Sequence, residues 1–276
     1  MKQLQWGLGD ALRVYKDFMK GQNLPVVIDK LDENRRLLWV GERRTDRVIL
    51  HFHGGAFLFP VGFSVLPFWR YVQSETRSKG KEAGFAMLQY CCPRSPAPYL
   101  HGCQTGESAG GNLVFQLLSH MLHPVQDVPR LTLSAPFSAA YPMSPWVSLT
   151  GKIGSMLTNG DSDVLGIEAS SYWGRIVLDG VPEKYRPYLK PYYAPEDWFA
   201  DLSTVVRRVL ITAGDAGWLR DDIVVFVDRL RKNYPELQFV LQDHGVHCDP
   251  YADFLWSEKV KGVRTPMISD FFMAGF

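Results

Sequence analysis

Short apolar segments alternate along this chain with longer segments in which apolar positions recur at helical spacing. The longer segments predict helices at 64–78, 110–122 and about 219–232. The short segments are typical of buried strands and lie at 36–42, 47–53, 84–91, 130–134, 207–213 and 237–242. Because strands and helices alternate, the pattern predicts an α/β fold with a mostly parallel, doubly wound sheet.

Two segments, 1–30 and 145–203, depart from this alternation. The second is irregular and rich in aromatic side chains, namely Trp146, Trp173, Tyr188, Tyr192, Tyr193 and Trp198. A chain of 276 residues, 46% of them hydrophobic, can bury a full core. We therefore expect a single domain over residues 1–276, in which 1–30 and 145–203 form a helical cap.

Gly106-Glu107-Ser108-Ala109-Gly110 has the G-x-S-x-G form of a nucleophile elbow, and a helical segment follows it. A serine at a sharp turn between strand and helix sits in a strained backbone conformation, so the residues two before and two after it must be small. The free N–H groups at the start of the helix would then point at an oxyanion formed when Ser108 attacks a carbonyl. The pattern makes Ser108 the candidate nucleophile, although glycine and serine are also common turn residues.

A second motif, His53-Gly54-Gly55-Ala56, follows directly on the apolar segment 48–52. A glycine pair at a strand end lets backbone N–H groups approach an oxyanion closely. This loop precedes the serine turn, which is the order that an oxyanion loop requires. We expect the oxyanion hole to consist of the backbone N–H groups of Gly54, Gly55 and Ala109.

Together, His53-Gly54-Gly55-Ala56 and Gly106-Glu107-Ser108-Ala109-Gly110-Gly111-Asn112 resemble the hormone-sensitive-lipase-like (fold-3) branch of the α/β-hydrolases. The chain is also similar to fungal members among secondary-metabolism enzymes, in the segments 119–124, 144–148 and 219–222. The resemblance extends from about Arg47 to Phe254. It implies a serine esterase or lipase with a Ser-His-Asp or Ser-His-Glu triad and a helical cap over the pocket.

The general base is expected in the loop after the last strand, where the chain offers His244 and His247. By position alone either histidine could reach Ser108. The resemblance places the base at His247, with a glycine two residues before it. His247 is therefore the predicted base, and His244 is predicted to be a surface or supporting residue.

The third triad member should be a carboxylate in the loop after 207–213, where it would orient the imidazole. Aligned with the family, the segment 219–222 puts Gly217 at the position of the acid, and glycine has no carboxylate. Asp215 lies on the same short loop, so we expect Asp215 to substitute. Asp221 and Asp222 fit the first turn of the next helix, where they suit its dipole.

The segment before the elbow is unusually short. Gly106 comes only 14 positions after Cys92, and Pro93, Pro96 and Pro98 exclude a helix between them. A parallel crossover with its helix takes about thirty residues, strands included. Residues 100–105 also lack the apolar run of a central strand. The sequence therefore predicts that one crossover helix and most of a central strand are missing, through an internal deletion or a gene-model error.

Composition narrows the function classes. Thirty basic and 29 acidic residues give a net charge of +1, so electrostatics favours neither nucleic acid nor an anionic membrane as a partner. The four cysteines, at 91, 92, 103 and 248, are expected to be reduced. The N-terminus lacks the pattern of a signal peptide, and no apolar run has the length of a membrane span. We expect a cytoplasmic protein with no cofactor and no metal; its oligomeric state stays open.

The function that these motifs predict is a carboxylesterase-type serine hydrolase acting on a small, mainly apolar ester, for example an acetylated metabolite. Gly217 and the short segment before the elbow favour an alternative. In that alternative the chain is a catalytically impaired, truncated hydrolase-fold protein that binds a small apolar ligand.

Overall fold

A computed structural model describes residues 10–90, 102–126, 128–151, 154–160, 163 and 166–276. Within these residues eight strands form one sheet, in the order β1-β2-β4-β3-β5-β6-β7-β8. The strands are β1 (Val27–Lys30), β2 (Arg36–Val40), β3 (Val48–Phe52), β4 (Gly84–Gln89), β5 (Gly102–Glu107), β6 (Ala139–Met143), β7 (Leu210–Gly214) and β8 (Gln238–Gln242).

The pairing of the strands confirms a mostly parallel α/β sheet. Strand β2 pairs antiparallel with both β1 and β4, whereas the pairs from β4 through β3, β5, β6 and β7 to β8 are parallel. Parallel strands end at the same edge of the sheet. The loops after β3, β5 and β8, which carry the predicted site residues, therefore meet at one edge.

The described helices are α1 (Ala11–Gly21), α2 (Val65–Ser78), α3 (Ala109–Leu122), α4 (Ser155–Thr158), α5 (Ile167–Leu178), α6 (Arg186–Leu189), α7 (Arg220–Asn233), α8 (Ala252–Leu255) and α9 (Arg264–Gly275). Short 3₁₀ turns lie at Glu183–Tyr185, Pro191–Tyr193, Leu202–Thr204 and Asp249–Tyr251. The helices predicted at 64–78, 110–122 and 219–232 correspond to α2, α3 and α7.

The hydrophobic core has two parts, one on each face of the sheet. Side chains alternate between the faces along a strand, so Leu37 and Trp39 of β2 join one part while Leu38 joins the other. The first part packs against α3 and α7, and the second against α1, α2 and α9. Because both faces are covered, the central strands are buried along most of their length.

The central strand before the elbow is present, contrary to the sequence-based prediction. Strand β5 pairs with β3 on one side and β6 on the other, and every residue from Cys103 to Glu107 is buried. Strand β5 itself has few apolar side chains, and it is buried because it lies between the buried strands β3 and β6. Thr105 instead donates its hydroxyl to the carbonyl of Tyr141, 2.9 Å away. The predicted loss of a crossover helix concerns residues 91–101, which lie outside the described residues.

Two further elements differ from the prediction. The segment 130–134 is not a strand, and Ala139–Met143 provides β6 in its place. The edge strand β1 falls within 1–30, one of the two predicted cap segments. Helix α1, from the same segment, packs on the sheet through Tyr15, whose hydroxyl donates to the carbonyl of Trp39 at 2.8 Å.

Candidate active site

Ser108 occupies a sharp turn between the end of β5 and the start of α3. Its backbone has φ 54° and ψ −116°, a conformation that residues with a side chain rarely adopt. Its N–H donates to the carbonyl of Met143, 3.0 Å away, and its carbonyl accepts from the N–H of Trp146 at 2.9 Å. These bonds hold the strained turn between two ordered segments, as the elbow motif predicts.

The glycines two positions before and two after Ser108 pack against each other and against β3. A Cβ atom at Gly106 would lie 2.4 Å from the carbonyl oxygen of Gly110. A Cβ atom at Gly110 would lie 1.8 Å from the carbonyl oxygen of Phe52. Neither position can hold a side chain, which gives the steric reason for the spacing of the motif.

The glycine loop after β3 faces the elbow. Gly55 has φ 99°, and a Cβ atom there would lie 2.7 Å from the carbonyl oxygen of Phe59, so only glycine fits this turn. The following Ala56 has φ 53° and lines the same pocket as Ser108. Ala109 is fully buried at the start of α3, where a helix leaves its first N–H groups without helical partners.

Gly54 has a different task from the one predicted. Its N–H donates to Oε1 of Glu107 at 2.6 Å. That bond commits the N–H to the residue just before the nucleophile, which is at odds with Gly54 as an oxyanion donor. Gly55 and Ala109 keep their predicted roles as candidates.

Glu107 is a buried carboxylate with several partners. Besides the N–H of Gly54, it accepts from the hydroxyl of Tyr251 through Oε2, at 3.3 Å. Nε2 of His51 lies 3.0 Å from the same oxygen. A carboxylate enclosed in this way stays buried only because donors surround it. Glu107 thereby connects the elbow, β3 and the segment after β8.

His247 lies in the loop after β8 and lines the same pocket as Ser108. Burial lowers the pKa of His247 below its usual value, and the negative charges of Asp163 and Glu107 act in the opposite direction. A neutral imidazole is the form that accepts a proton, so the lowered pKa is consistent with His247 as the candidate base. His244, by contrast, has a side chain that is 93% exposed.

The acid position is empty of a side chain, because Gly217 stands there. Asp215 follows β7 on the same loop, but its Oδ1 is enclosed and has no hydrogen-bond partner among the described residues. Asp163 places a carboxylate beside His247, because its Oδ1 accepts from the backbone N–H of His247 at 3.0 Å. The structure therefore brings Asp163, rather than the predicted Asp215, into contact with the candidate base.

The pocket in front of Ser108 has a volume of about 290 Å³ and mostly apolar walls. Aromatic and aliphatic side chains cover the walls: Phe59, Pro60, Val65, Trp146, Trp173 and Trp218. Trp173 belongs to α5, so the segment 145–203 contributes directly to the pocket. The cavity is at the small end of the range for ligand pockets, which suits a short acyl group.

The described part of the chain holds neither a metal-binding cluster nor a membrane-spanning helix. No cluster of three or more His, Cys, Asp or Glu residues is arranged to hold a metal ion there. Among the same residues, no helix combines the length and apolarity needed to cross a membrane.

The fold, and a pocket that Ser108 and His247 share, define a serine hydrolase of the α/β-hydrolase fold and of the esterase type. The model of the steryl acetyl hydrolase family matches residues 102–261, which is more than half of the chain. The chain belongs to that family. A comparison with curated proteins found no match.

Solved structures share this fold at low sequence identity. An esterase of the bacterial hormone-sensitive lipase family is 19% identical, with a TM-score of 0.68 over 95% of this chain and 90% of that one. A hormone-sensitive lipase from a metagenome library is 18% identical, with a TM-score of 0.68 over 95% and 91%. An esterase/lipase from an uncultured bacterium is 19% identical, with a TM-score of 0.64 over 95% and 91%.

Sequence reasoning placed Trp173 in the predicted cap but gave no role to two other residues of the site. Asp163 lies in the irregular segment 145–203, where no periodicity indicates which side chains reach the pocket. Glu107 stands inside the elbow motif, but the motif leaves that position free. The burial that accompanies its place at the end of a central strand is a signal that could have identified it.

Proposed function

We propose that this chain hydrolyses acetate esters of apolar alcohols, with Ser108 as the nucleophile and His247 as the general base. The observation that carries the proposal is the strained elbow serine, which shares a small apolar pocket with a buried histidine of lowered pKa. The description of the matching family, steryl acetyl hydrolase, supports an acetyl group on an apolar alcohol such as a sterol.

In the first half of the reaction, Oγ of Ser108 forms a bond to the ester carbonyl carbon while His247 takes the hydroxyl proton. The oxyanion is stabilised by the backbone N–H groups of Gly55 and Ala109, with Ala56 in place of Gly54. The C–O bond to the alcohol then breaks, and the alcohol leaves with the proton from His247. Water attacks the acetyl-enzyme in the same way and releases acetate.

The pocket supports a short acyl group. Its volume of about 290 Å³ leaves little room for a long chain, and its walls offer few polar groups. We therefore expect rates with p-nitrophenyl esters to be highest for acetate and to fall as the acyl chain lengthens to eight carbons. A sterol acetate should be hydrolysed, whereas the Ser108→Ala variant should hydrolyse neither substrate.

The alternative, an impaired hydrolase-fold protein that binds an apolar ligand, has less support from the structure than from the sequence alone. One of its two reasons was a missing central strand, and β5 is complete. Labelling with a fluorophosphonate probe separates the two functions, because only an activated serine reacts. Absence of labelling in the folded protein would favour the binding function. Cytoplasmic location stays a prediction, to be tested by fractionation of expressing cells.

A further inference from the structure

The base of this site has no acid from the expected loop. Gly217 stands where the family resemblance puts the carboxylate, and Nδ1 of His247 is buried without a hydrogen-bond partner among the described residues. An imidazole that becomes positively charged during the reaction is stabilised by a nearby carboxylate. The hydrolysis proposed above therefore needs a carboxylate from another part of the chain.

Asp163 lies in the space that an acidic side chain at position 217 would use. Its Oδ1 accepts from the N–H of His247 at 3.0 Å, and its Oδ2 accepts from the N–H of Trp218 at 2.7 Å. A Cβ atom at Gly217 would lie 3.7 Å from Oδ2 of Asp163 and 3.7 Å from the backbone nitrogen of His247. The absence of a side chain at 217 leaves room for this carboxylate.

Other carboxylates in the region are less suited. Asp249 accepts from the N–H of Val246 at 3.2 Å and from the side chain of Gln242. The carboxylate of Glu107 already accepts hydrogen bonds from the N–H of Gly54 and the hydroxyl of Tyr251, and Glu107 belongs to the elbow itself. Asp215 is not among the charges that act on His247, which are those of Asp163 first and Glu107 second. Geometry and electrostatics thus agree on the same residue.

We propose that Asp163 is the carboxylate partner of His247, a positioning residue supplied by the segment before α5 instead of the loop after β7. This proposal rests on the proposed function. When Oγ of Ser108 bonds to the carbonyl carbon, its proton moves to His247, and Asp163 stays ionised and stabilises the imidazolium. The proton then leaves on the alcohol, so Asp163 neither gains nor loses one.

The first test compares the isosteric variant Asp163→Asn with Asp243→Asn, an exposed carboxylate on the loop that carries His247. Asp163→Asn should lower kcat for p-nitrophenyl acetate by about 10²–10⁴-fold with little change in KM. Asp243→Asn should retain the activity of the parent chain. A larger loss from Asp215→Asn than from Asp163→Asn would overturn the proposal and return the acid to Asp215.

The second test restores a carboxylate from the expected position. In the double variant Asp163→Ala/Gly217→Asp, the new carboxylate enters the space beside His247 that the shortened side chain at 163 vacates, and kcat should recover at least tenfold over Asp163→Ala alone. Gly217→Ala in the same background adds volume without charge and should give no recovery. Equal kcat in the two double variants would contradict the proposal.

The third test does not need catalysis. Among the described pocket residues, Glu107, Cys248 and Tyr251 are the titratable groups that line the pocket with His247, and burial raises the pKa of both Cys248 and Tyr251. The two neutral groups leave Glu107 and Asp163 as the charges that act on the imidazole. An NMR titration should find the pKa of His247 lower in Asp163→Asn by about one unit or more.

The three readouts separate this proposal from the proposed function. A chain that hydrolyses no ester but shows the lowered pKa of His247 in Asp163→Asn would contradict the hydrolase function and retain the pairing. A chain that hydrolyses acetate esters with an unchanged His247 pKa and unchanged kcat in that variant would retain the function and refute the pairing. Melting temperatures of all variants show whether each one folds.

Discussion

The backbone N–H of Gly54 donates to Oε1 of Glu107 across 2.6 Å, and this bond joins the glycine loop to the nucleophile turn. Glu107 directly precedes Ser108, so the bond holds the glycine loop close to the turn that carries Ser108. A Cβ atom at Gly54 would lie 2.9 Å from the carbonyl oxygen of Glu107, which shows how closely the two loops approach. Glu107 stands at the variable position before the serine in the G-x-S-x-G motif, and its carboxylate holds the two loops together.

Glu107→Ala should therefore lower both stability and kcat. The change leaves the N–H of Gly54 and the hydroxyl of Tyr251 buried without their acceptor, at a cost of about 1–3 kcal/mol in unfolding free energy. Glu107→Gln keeps an acceptor oxygen for Gly54 and should lose less of both. Urea unfolding and p-nitrophenyl acetate kinetics measure the two effects. Equal behaviour of the two variants would show that the bond to Gly54 is unimportant.

Two of the helical glycines, Gly110 and Gly21, should respond oppositely to substitution by alanine. Helix propensity alone favours alanine at both. At Gly110 the new Cβ would lie 1.8 Å from the carbonyl oxygen of Phe52, so Gly110→Ala should cost at least about 3 kcal/mol or prevent folding. Gly21 has nothing within 4 Å, so Gly21→Ala should be neutral or stabilising by up to about 1 kcal/mol. Thermal melts of both variants test the steric argument; a stable Gly110→Ala protein would refute it.

Ser108 should show a conflict between activity and stability. Its positive φ stores about 1–3 kcal/mol of strain, which glycine relieves and alanine does not. Ser108→Gly should raise the melting temperature, while Ser108→Ala should leave it near that of the parent chain. Both should reduce ester hydrolysis by several orders of magnitude. A variant with near-full activity would remove Ser108 from the mechanism.

The two histidines of the last loop should also differ. His247→Ala removes the buried base and should reduce kcat about as much as the loss of the nucleophile. His244→Ala removes an exposed side chain and should change kcat less than twofold. Kinetics with p-nitrophenyl acetate decide between the two. The reverse result would assign the base to His244.

Lowering the pH should reduce both the activity and the stability of the protein, and both effects follow from the lowered pKa values of buried histidines. Burial lowers the pKa of His247 in the folded chain, so the acid limb of kcat/KM should lie below about pH 6.5. Burial lowers the pKa of His53 as well. Between each folded pKa and the unfolded value near 6.5 the unfolded chain binds more protons, so stability should fall as pH falls through this window. An acid limb above pH 6.5, or constant stability from pH 7 to 5, would contradict the assignment.

The sequence by itself determined the α/β class, the helices α2, α3 and α7, and the two glycine motifs. These features are local. The pattern of consecutive residues predicts a strand, an amphipathic helix or a turn that has no room for a side chain. Ser108 and His247 became candidates for the same reason, since each stands next to a strand end within a short motif. Strand β5 was missed because its burial comes from its neighbours.

Only the tertiary structure decided which groups meet at the site. The bond that commits Gly54 to Glu107 joins residues 53 positions apart, and Asp163 lies 84 positions from His247. No periodicity predicts such a contact, because it depends on how loops from different strands converge at one edge of the sheet. Whether a carboxylate acts on the base is therefore a property of the folded chain, where burial makes a charge a few ångströms away effective.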